Sequence, residues 1–380
     1  MIPFLSEEQL ELRNQVRRFL AATSPMPEVR RLMSTERGYE LQVWQQMASQ
    51  LELQSLGIRE DFGGLGESYV ELCLVVEEMG YALMGSPYLA CALAACALQS
   101  ADNPPVTRGW LSQIASGKCL ATLCVADDRG SWSASGNLVA SASDDGGWLL
   151  NGYTSYVMDG RVADLFVAIA TLDGRPALFT VTASEPGVVV SPQSTLDETR
   201  KLARVEFSRC AARLVSSDGA QAVVDHVLDI AAVLLAAESL GGARRCLDMS
   251  VDYAKNRQQF GRPIGSFQAI KHKCADMLVE VEAARSVVFY ASRLAGSEAD
   301  RRELGVVASL AKAYCTDAYF HAAGECLQIH GGIGFTWEHD AHLFFKRASA
   351  SRLMFGDPTL HRELVAQRLG LADVASPHPR

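Results

Sequence analysis

Hydrophobic positions divide the 380-residue chain into three regions with different spacings. In the first region, residues 1 to about 118, they recur at roughly helical steps, beginning with Leu10, Val16, Phe19 and Leu20. Ser6 followed by two glutamates predicts the start of the first helix, because a hydroxyl and acidic groups suit the free N–H groups there. Residues 69–100 are so rich in Ala and Leu that we expect helix buried on most sides. The glycines of residues 61–66 predict a loop.

The pattern changes between about residues 119 and 212. Short runs rich in Val and aromatic residues, separated by turn residues, predict strands at residues 148–160, 163–172, 177–183, 187–192 and 202–207. Asn151-Gly152 predicts a hairpin turn, because both residue types tolerate positive φ. Strands at this spacing predict a small antiparallel barrel or sandwich.

Helical spacing returns in the last region, where a stripe runs mostly at three- and four-residue steps through Ile264, Phe267, Ile270, Met277, Leu278 and Val281. Residues 223–253 and 305–329 are also long and Ala-rich, which is typical of a four-helix bundle. We therefore predict a mainly α chain with a central β-domain. Its three parts are an N-terminal helical domain at 1–118, a β-domain at 119–212 and a C-terminal bundle at 213–380.

Composition and charge argue against several classes of function. A formal net charge of −9 argues against sequence-independent binding of nucleic acid. No uninterrupted apolar run reaches the roughly 20 residues needed to cross a bilayer, and the first residues turn acidic at once, so we predict a cytoplasmic protein. The ten cysteines include no CxxC pair, which favours free thiols in a reducing compartment. We expect no metal site.

Two segments of the C-terminal region carry candidate chemistry. Residues 256–264 read NRQQFGRPI, and residues 328–336 read QIHGGIGFT. Arg257 offers a fixed charge with a donor fork that suits a phosphate oxygen, and Phe260 offers an aromatic face. The glycines of the second segment let backbone N–H groups approach an anion closely. Together these groups predict a ligand site.

These two segments, with FGGLG at 62–66 and EEMG at 77–80, resemble hallmark motifs of the acyl-CoA dehydrogenases, and the resemblance covers nearly the whole chain. It implies FAD as cofactor, an acyl-CoA thioester as substrate and an electron-transfer flavoprotein as acceptor. It also implies assembly through the bundle into a homo- or hetero-oligomer, usually a tetramer, in which one subunit contacts the adenine and pyrophosphate of its neighbour's FAD. The residues so assigned are Arg257, Phe260, Phe267, Gln328, Gly331, Gly332 and Gly334.

The chain departs from the family pattern where the β-domain begins. Most members carry a Thr-Glu-Pro-Gly-Ala-Gly-Ser-Asp-like stretch, which holds the flavin ring and the thioester. Here residues 124–131 read CVADDRGS, so the proline and most glycines are absent. Asp127 and Asp128 occupy the turn, which we interpret as solvated, because two carboxylates would disfavour an electron-rich reduced flavin. Tyr156 is the nearest match to the family's tryptophan beside the flavin.

The catalytic base is the second departure. Dehydrogenation needs a carboxylate to remove the proton α to the thioester, and most members place a Glu in a Tyr-Glu-Gly-Thr-like segment. Matching the glycines of LMFGDP at 353–358 puts Phe355 at that position. Asp357 is then the candidate base, although Asp-Pro is also a common helix opening.

Some family members place the base on the first bundle helix instead. The matching position here is Ala231. Asp229 lies two residues earlier and faces elsewhere, because two residues turn a helix by about 200°. Glu238 comes later along the chain and suits a structural role.

Two interpretations remain open. In the first, the chain is a self-sufficient homotetrameric dehydrogenase with a displaced base. In the second, which we favour, it is the flavin-sharing, base-lacking subunit of a heteromeric complex, as found among actinobacterial dehydrogenases of steroid side-chain degradation. Flavin oxidases and monooxygenases use the same fold, and the sequence does not separate them. A purely structural, flavin-free role explains Arg257, Phe260 and Gln328 poorly.

Overall fold

The computed structural model describes residues 5–101, 103–133, 137–144, 146–297 and 300–371. The chain forms two compact units, neither of them continuous in sequence. The first unit consists of Met1–Met26, Cys73–Met84 and Ala232–Arg380, and the second of Pro27–Leu72 and Gly85–Ala231. The three-part division into residues 1–118, 119–212 and 213–380 stays a prediction, and the two units record which segments pack together.

Before the β-region, where the periodicity predicted helix, the residues that the structure describes form six α-helices. They are α1 (Glu7–Thr23), α2 (Met26–Met33), α3 (Leu41–Leu51), α4 (Tyr69–Ala82), α5 (Tyr88–Ser100) and α6 (Pro104–Ala115). Ser6 is the N-cap of α1, as expected from the sequence, and it forms a reciprocal capping box with Gln9. The Ala- and Leu-rich stretch forms two helices rather than one, because Gly85 and Pro87 lie between α4 and α5.

The described residues of the β-region form seven strands. They are β1 (Ala121–Cys124), β2 (Leu138–Ala142), β3 (Trp148–Met158), β4 (Leu165–Leu172), β5 (Arg175–Thr182), β6 (Val188–Gln193) and β7 (Leu202–Ser216). The pairings β4–β2–β3–β7–β5–β4 return to their start, so these five strands close on themselves around Phe166, Phe179 and Phe207. The expected small barrel or sandwich is present, but the expectation that it is antiparallel is wrong in part, because β4 pairs parallel with both β1 and β2.

Asn151-Gly152 forms no hairpin turn. Both residues lie inside β3, where the register against β7 shifts between Leu150 and Gly152. Gly152 has φ +123, and a Cβ there would overlap the carbonyl of Asn137. The Asn151 side chain accepts a hydrogen bond from the N–H of Arg209 at 2.8 Å. The dipeptide therefore builds a β-bulge, which also favours positive φ at glycine.

After the β-region, the part of the chain described up to residue 371 forms five α-helices: α7 (Ala220–Asn256), α8 (Gln268–Ala295), α9 (Arg301–His330), α10 (Ala341–Leu353) and α11 (Pro358–Arg368). Two short strands, β8 (Gln258–Gln259) and β9 (Arg262–Pro263), form a hairpin between α7 and α8. By length and composition alone α7 is apolar enough to cross a membrane, and 67% of its most apolar window is buried. A count of uninterrupted apolar residues misses this helix because Asp229 and Glu238 interrupt it. Burial of this extent is that of a bundle helix.

In the first unit, α4 and the last part of α7 approach each other closely. A Cβ at Gly80 would overlap the carbonyl of Glu238, and a Cβ at Gly241 would overlap that of Glu77. Here the glycines serve close helix packing rather than backbone freedom.

Replacing Gly241 by alanine tests this close contact. Gly241→Ala should lower the free energy of unfolding by about 1–3 kcal/mol, because the new methyl group forces α4 and α7 apart. Urea denaturation measures the effect.

The matched control is Gly324→Ala inside the C-terminal part of α9, where the nearest heavy atom to an added Cβ is 3.9 Å away. This variant should leave stability unchanged or raise it by up to about 1 kcal/mol, because alanine favours helix. Equal effects of the two substitutions would contradict the packing account.

Candidate cofactor site

The first candidate segment starts at the end of α7. The N–H of Arg257 donates to the carbonyl of Tyr253 at 2.8 Å, and the carbonyl of Arg257 accepts from the N–H of Ile264 at 2.8 Å. These bonds fix the Arg257 main chain at the base of the β8–β9 hairpin. Its side chain is exposed and forms no ion pair among the residues the structure covers. The guanidinium is therefore available to an anion.

Two aromatic side chains accompany Arg257 on this hairpin. Phe260 lies at the tip with φ +53 and is 90% exposed. Phe267, at the start of α8, packs edge-to-face against it with ring centroids 6.1 Å apart. The guanidinium of Arg262 lies 4.2 Å from the centroid of Phe267. An apolar ring held this far into solvent is a contact surface for a ligand or another chain.

The second segment begins in the last turn of α9 and continues beyond its end at His330. Gln328, Gly331 and Gly332 are exposed, and Gly331 has φ +62. A Cβ at Gly331 or Gly332 would meet no atom within 4 Å, so their main chain lies open to a ligand. Gly334 differs: it is buried, and a Cβ there would lie 3.0 Å from the carbonyl oxygen of Leu327. This third glycine suits a packing role better than ligand contact.

The structure brings the two segments together through a ring contact. Tyr253, one helical turn before Arg257, stacks on His330 with ring centroids 4.3 Å apart and planes 32° apart. His330 stands between Gln328 and Gly331 in the sequence and is itself 4% exposed. The contact fixes the ends of α7 and α9 beside each other. Sequence reasoning singled out both segments but missed Tyr253 and His330, the pair that joins them.

The turn at residues 124–131 is closed by its own hydrogen bonds. Asp127 Oδ1 accepts from the N–H groups of Arg129 at 2.9 Å and Ser131 at 2.8 Å. Asp128 Oδ2 accepts from the Tyr153 hydroxyl at 3.0 Å, and the Tyr156 hydroxyl donates to the Asp128 carbonyl at 3.3 Å. The polar groups of this turn are thus hydrogen-bonded to one another and to two tyrosines of β3.

Phe355, at the position matched to the family's base, is buried and has φ +58. Few residues other than glycine adopt this conformation. Two buried side chains, those of Lys312 and His361, contact the main chain of this segment. Lys312 Nζ lies 2.8 Å from the Gly356 carbonyl and 3.2 Å from that of Arg352. His361 Nε2 lies 2.9 Å from the Phe355 carbonyl. An apolar side chain therefore occupies a rigidly held position.

Asp357 is exposed and caps α11. Its Oδ1 accepts the N–H of Leu360 at 2.7 Å, and Pro358 is the first residue of the helix. This is the capping role that the Asp-Pro sequence indicates. The assignment of Asp357 as a base stays a prediction.

The other positions considered for a base lie on α7. Ala231 is fully buried, whereas Asp229 is half-buried. Glu238 is buried and accepts from Arg347 Nη1 on α10 at 3.1 Å. This ion pair joins two bundle helices, as a structural role requires.

Burial perturbs two ionisable groups behind Phe355. It lowers the pKa of Lys312 to about 7, because the ammonium loses its hydration, although the charges of Asp357 and Asp317 oppose the shift. Burial also lowers the pKa of His361 to about 4, and the charge of Lys312 adds to this effect. Sequence reasoning overlooked Lys312, whose signal was a single cation in the Ala-rich middle of α9.

Comparison with known proteins identifies the family to which this architecture belongs. Residues 6–118 match the N-terminal domain and residues 217–370 the C-terminal domain of acyl-CoA dehydrogenases. The chain is 35% identical over 352 residues to the acyl-CoA dehydrogenase IpdE2 of Mycobacterium tuberculosis, which covers 93% of this chain and 94% of that protein. It is 33% identical to acyl-CoA dehydrogenase FadE34 of the same organism, over all of this chain and 52% of that protein.

A solved structure shows the same fold. The chain superposes on a chain of the ChsE4–ChsE5 complex from Mycobacterium tuberculosis with a TM-score of 0.88 at 26% identity, covering 98% of this chain and 100% of that one. The two matched domains and these relatives define a family of oxidoreductases that act on CH–CH donors. The chain belongs to the acyl-CoA dehydrogenase family, a FAD-dependent family. The fold and family predicted from its motifs are confirmed.

The exposed groups on α7, the hairpin and α9 fit part of a FAD. Arg257 is an unpaired cation suited to a phosphate oxygen. The open main chain at Gly331 and Gly332 has room for N–H contacts to an anion, and Phe260 offers a face to a planar ring. The chemistry of these donors therefore matches the pyrophosphate and adenine of the cofactor.

The depressed pKa of Lys312 predicts a pH-dependent stability. Below about pH 7 both states are protonated, and the folded state carries the cost of a buried charge. Between pH 7 and about 10.4, the ordinary lysine value, the unfolded state binds more protons, so stability rises with pH. The urea midpoint of the wild type should therefore increase from pH 7 to 9.5 relative to that of Lys312→Met. A Lys255→Met control, at an exposed position, should follow the wild type. Parallel curves for all three proteins would contradict a depressed pKa.

Two substitutions separate the capping and base roles of Asp357. Asp357→Asn preserves a good helix cap, whereas Asp357→Ala should cost about 1 kcal/mol of stability. Because the carboxylate is exposed and bonded to its own helix, we expect Asp357→Asn to leave dehydrogenation unchanged in the active assembly. The melting temperature and the turnover number of both variants distinguish the capping role from the role as base. Loss of turnover in Asp357→Asn at unchanged stability would instead establish Asp357 as the base.

Proposed function

We propose that this chain is the flavin-sharing, base-lacking subunit of a heteromeric FAD-dependent acyl-CoA dehydrogenase. The observation that carries this proposal is an asymmetry between two parts of the chain. The groups suited to a neighbour's FAD, namely Arg257, Phe260 and the open glycines after α9, are exposed and available. The groups at the chain's own flavin and base positions are engaged internally or apolar.

Specific residues of this chain occupy the flavin position and the base position. The turn that would hold a flavin ring is bonded to itself through Asp127 and to the β-domain through Asp128. Two carboxylates there disfavour the negative charge of a reduced flavin. At the base position the Phe355 ring has no proton acceptor, so it cannot perform the α-proton abstraction that dehydrogenation requires.

Within such an assembly this chain would bind and orient. FAD, when bound, supplies the hydride acceptor for the β carbon of the acyl chain. Arg257 would neutralise pyrophosphate charge, and the Gly331–Gly332 main chain would donate hydrogen bonds to it. Gln328 and Phe260 would position the adenine end. The partner subunit would supply the base.

The relatives suggest the substrate class and the assembly. The similar ChsE4–ChsE5 structure is a complex of two different chains, and another similar structure is described as a steroid enzyme of this family, with two components, Tcur3481 and Tcur3483. We therefore propose a bulky acyl-CoA, such as a steroid side chain, in lipid degradation. A cytoplasmic location and an electron-transfer flavoprotein as acceptor complete the proposal.

Flavin stoichiometry tests the shared site. The visible spectrum of the purified chain should show no retained FAD when it is produced alone, and about one FAD per pair of chains when it is co-expressed with its genomic neighbour. About one FAD per chain in the isolated protein would reject sharing and favour a self-sufficient homotetramer.

A substitution of Arg257 by alanine tests whether this side chain contributes to FAD binding in the complex. The variant should lower the FAD content of the complex, because a phosphate loses its charged donor. Lys255→Ala removes the same charge two residues earlier, from an exposed site on α7, and should leave FAD content unchanged. Equal FAD content in both variant complexes would reject the role of Arg257.

A further inference from the structure

The second unit contains a cavity that the candidate cofactor site does not use. Its volume is about 1050 Å³, near the upper end of the range for small-molecule sites, roughly 300–1,000 Å³. The chain segments that line it all belong to this unit: residues 37–55, 63–65, 112–120 and 161–164. Among the described residues that line the cavity, none belongs to the hairpin after α7, the turn at 124–131 or the segment at 353–358.

Aromatic side chains connect the segments on one half of the cavity wall. The guanidinium of Arg37 lies 5.8 Å from the ring centroid of Tyr39. This ring packs edge-on against Trp44 on α3, with centroids 6.4 Å apart. Trp44 Nε1 in turn donates to the carbonyl of Gly117 at 2.9 Å. The main chain next to Lys118 is therefore fixed against α3.

Polar contacts connect the segments on the other half. The N–H of Leu120 donates to Asp164 Oδ2 at 2.8 Å, which fixes the end of α6 to the turn between β3 and β4. In the same turn, Arg161 Nη2 lies 2.9 Å from an oxygen of Glu36, the residue that directly precedes Arg37. The Glu36 side chain is 82% exposed, so water screens this pair and leaves Arg161 able to bind another anion. The contacts thus return to the segment from which they started and enclose the cavity.

Positive charge exceeds negative charge on this wall. Of the described residues that line it, Arg37, Lys118 and Arg161 are cations, whereas Glu52 and Asp164 are carboxylates. The first two cations are exposed and form no ion pair within the part of the chain that the structure covers. Since the whole chain has a formal net charge of −9, the local excess belongs to this cavity and favours an anionic ligand.

Apolar side chains give the cavity a second character. Leu41, at the start of α3, and Leu65, in the glycine-rich loop, both line it and are each 40% exposed. The N–H of Leu65 donates to the carbonyl of Ser55 at 3.0 Å, which fixes this loop. A ligand that covers both leucines while it neutralises the cations gains from apolar burial as well as from charge.

We propose that this cavity binds an amphipathic organic phosphate. Arg37, Lys118 and Arg161 hold the phosphate group, and Leu41 and Leu65 contact the apolar body. A phosphate suits three cations better than a carboxylate does, because it carries nearly two negative charges and three acceptor oxygens. The arginine forks bind pairs of these oxygens, and the lysine supplies a point charge. The site does not depend on the proposed sharing of FAD.

Isothermal titration calorimetry of the full-length chain with n-octyl phosphate, below its micellar concentration, tests the site. We expect saturable binding of about one probe per chain, which weakens at high salt, and a higher melting temperature with the probe. Inorganic phosphate, octanol and octanoate should each bind at least about tenfold more weakly, because each lacks the apolar body or the doubly charged group. Octanoate binding as tight as that of octyl phosphate would overturn the assignment of a phosphate ligand.

Variants at exposed or half-buried positions test the two halves of the ligand. The double substitution of Arg37→Gln and Lys118→Gln should weaken octyl phosphate binding at least about tenfold, because two charged donors are lost. Leu65→Gln should weaken it by about fivefold and leave the binding of inorganic phosphate unchanged. The matched control is Arg175→Gln, an exposed cation at the start of β5 outside the cavity, which should bind the probe as the wild type does.

Arg257→Ala separates this cavity from the candidate cofactor segments. The variant should bind octyl phosphate as the wild type does, and loss of binding would place the probe at those segments and overturn the cavity site. Absence of saturable binding, or equal binding by the wild type and the double variant, would overturn it too. Binding that the double variant loses, in a chain that carries its own full complement of FAD, supports the cavity site and rejects the proposed function.

Discussion

The close approach of α4 to α7 is the constraint on which the first unit depends. Glycines at 80 and 241 bring the two helices near enough to enclose Glu77 and Glu78, which are 4% and 1% exposed. Arg244 bonds both carboxylates, Arg17 reaches Glu78 at 2.8 Å, and the outer helix α8 contributes a further arginine to Glu77. Such buried carboxylates are tolerated only when paired, so packing and charge depend on each other.

This network also explains why the first unit is assembled from three separate segments. Burial would raise the pKa of Glu78, but the hydrogen bond from Arg17 and the charge of Arg244 outweigh it and lower the pKa. Removing one partner would leave an uncompensated charge inside the bundle. Helices α1 and α4 are therefore fixed to α7, whose far end carries Arg257. If the chain shares a cofactor as proposed, these paired charges supply, at a distance along α7, the rigidity that such a site needs.

Local sequence patterns predict much of the fold, whereas the geometry of the candidate cofactor site depends on contacts between residues that are distant in sequence. Three- and four-residue spacing predicted the helices, and the motifs located Arg257 and the glycines after α9. Asn151-Gly152 misled because its conformation is set by register against β7 and by the neighbouring Asn137, not by its own turn preference. Lys312 was missed for the same reason: its partners lie forty or more residues further along the chain.

The segment around Phe355 combines a tightly held backbone with an apolar side chain. Left-handed backbone at a bulky residue is unfavourable and persists only where surrounding contacts determine it. Lys312 and His361 supply those contacts, through carbonyls at residues 352, 355 and 356. The backbone is thus held in place although the side chain it presents is a phenyl ring. A scaffold kept rigid without a proton acceptor is what a subunit needs if it shapes and completes a partner's site rather than carrying out dehydrogenation itself.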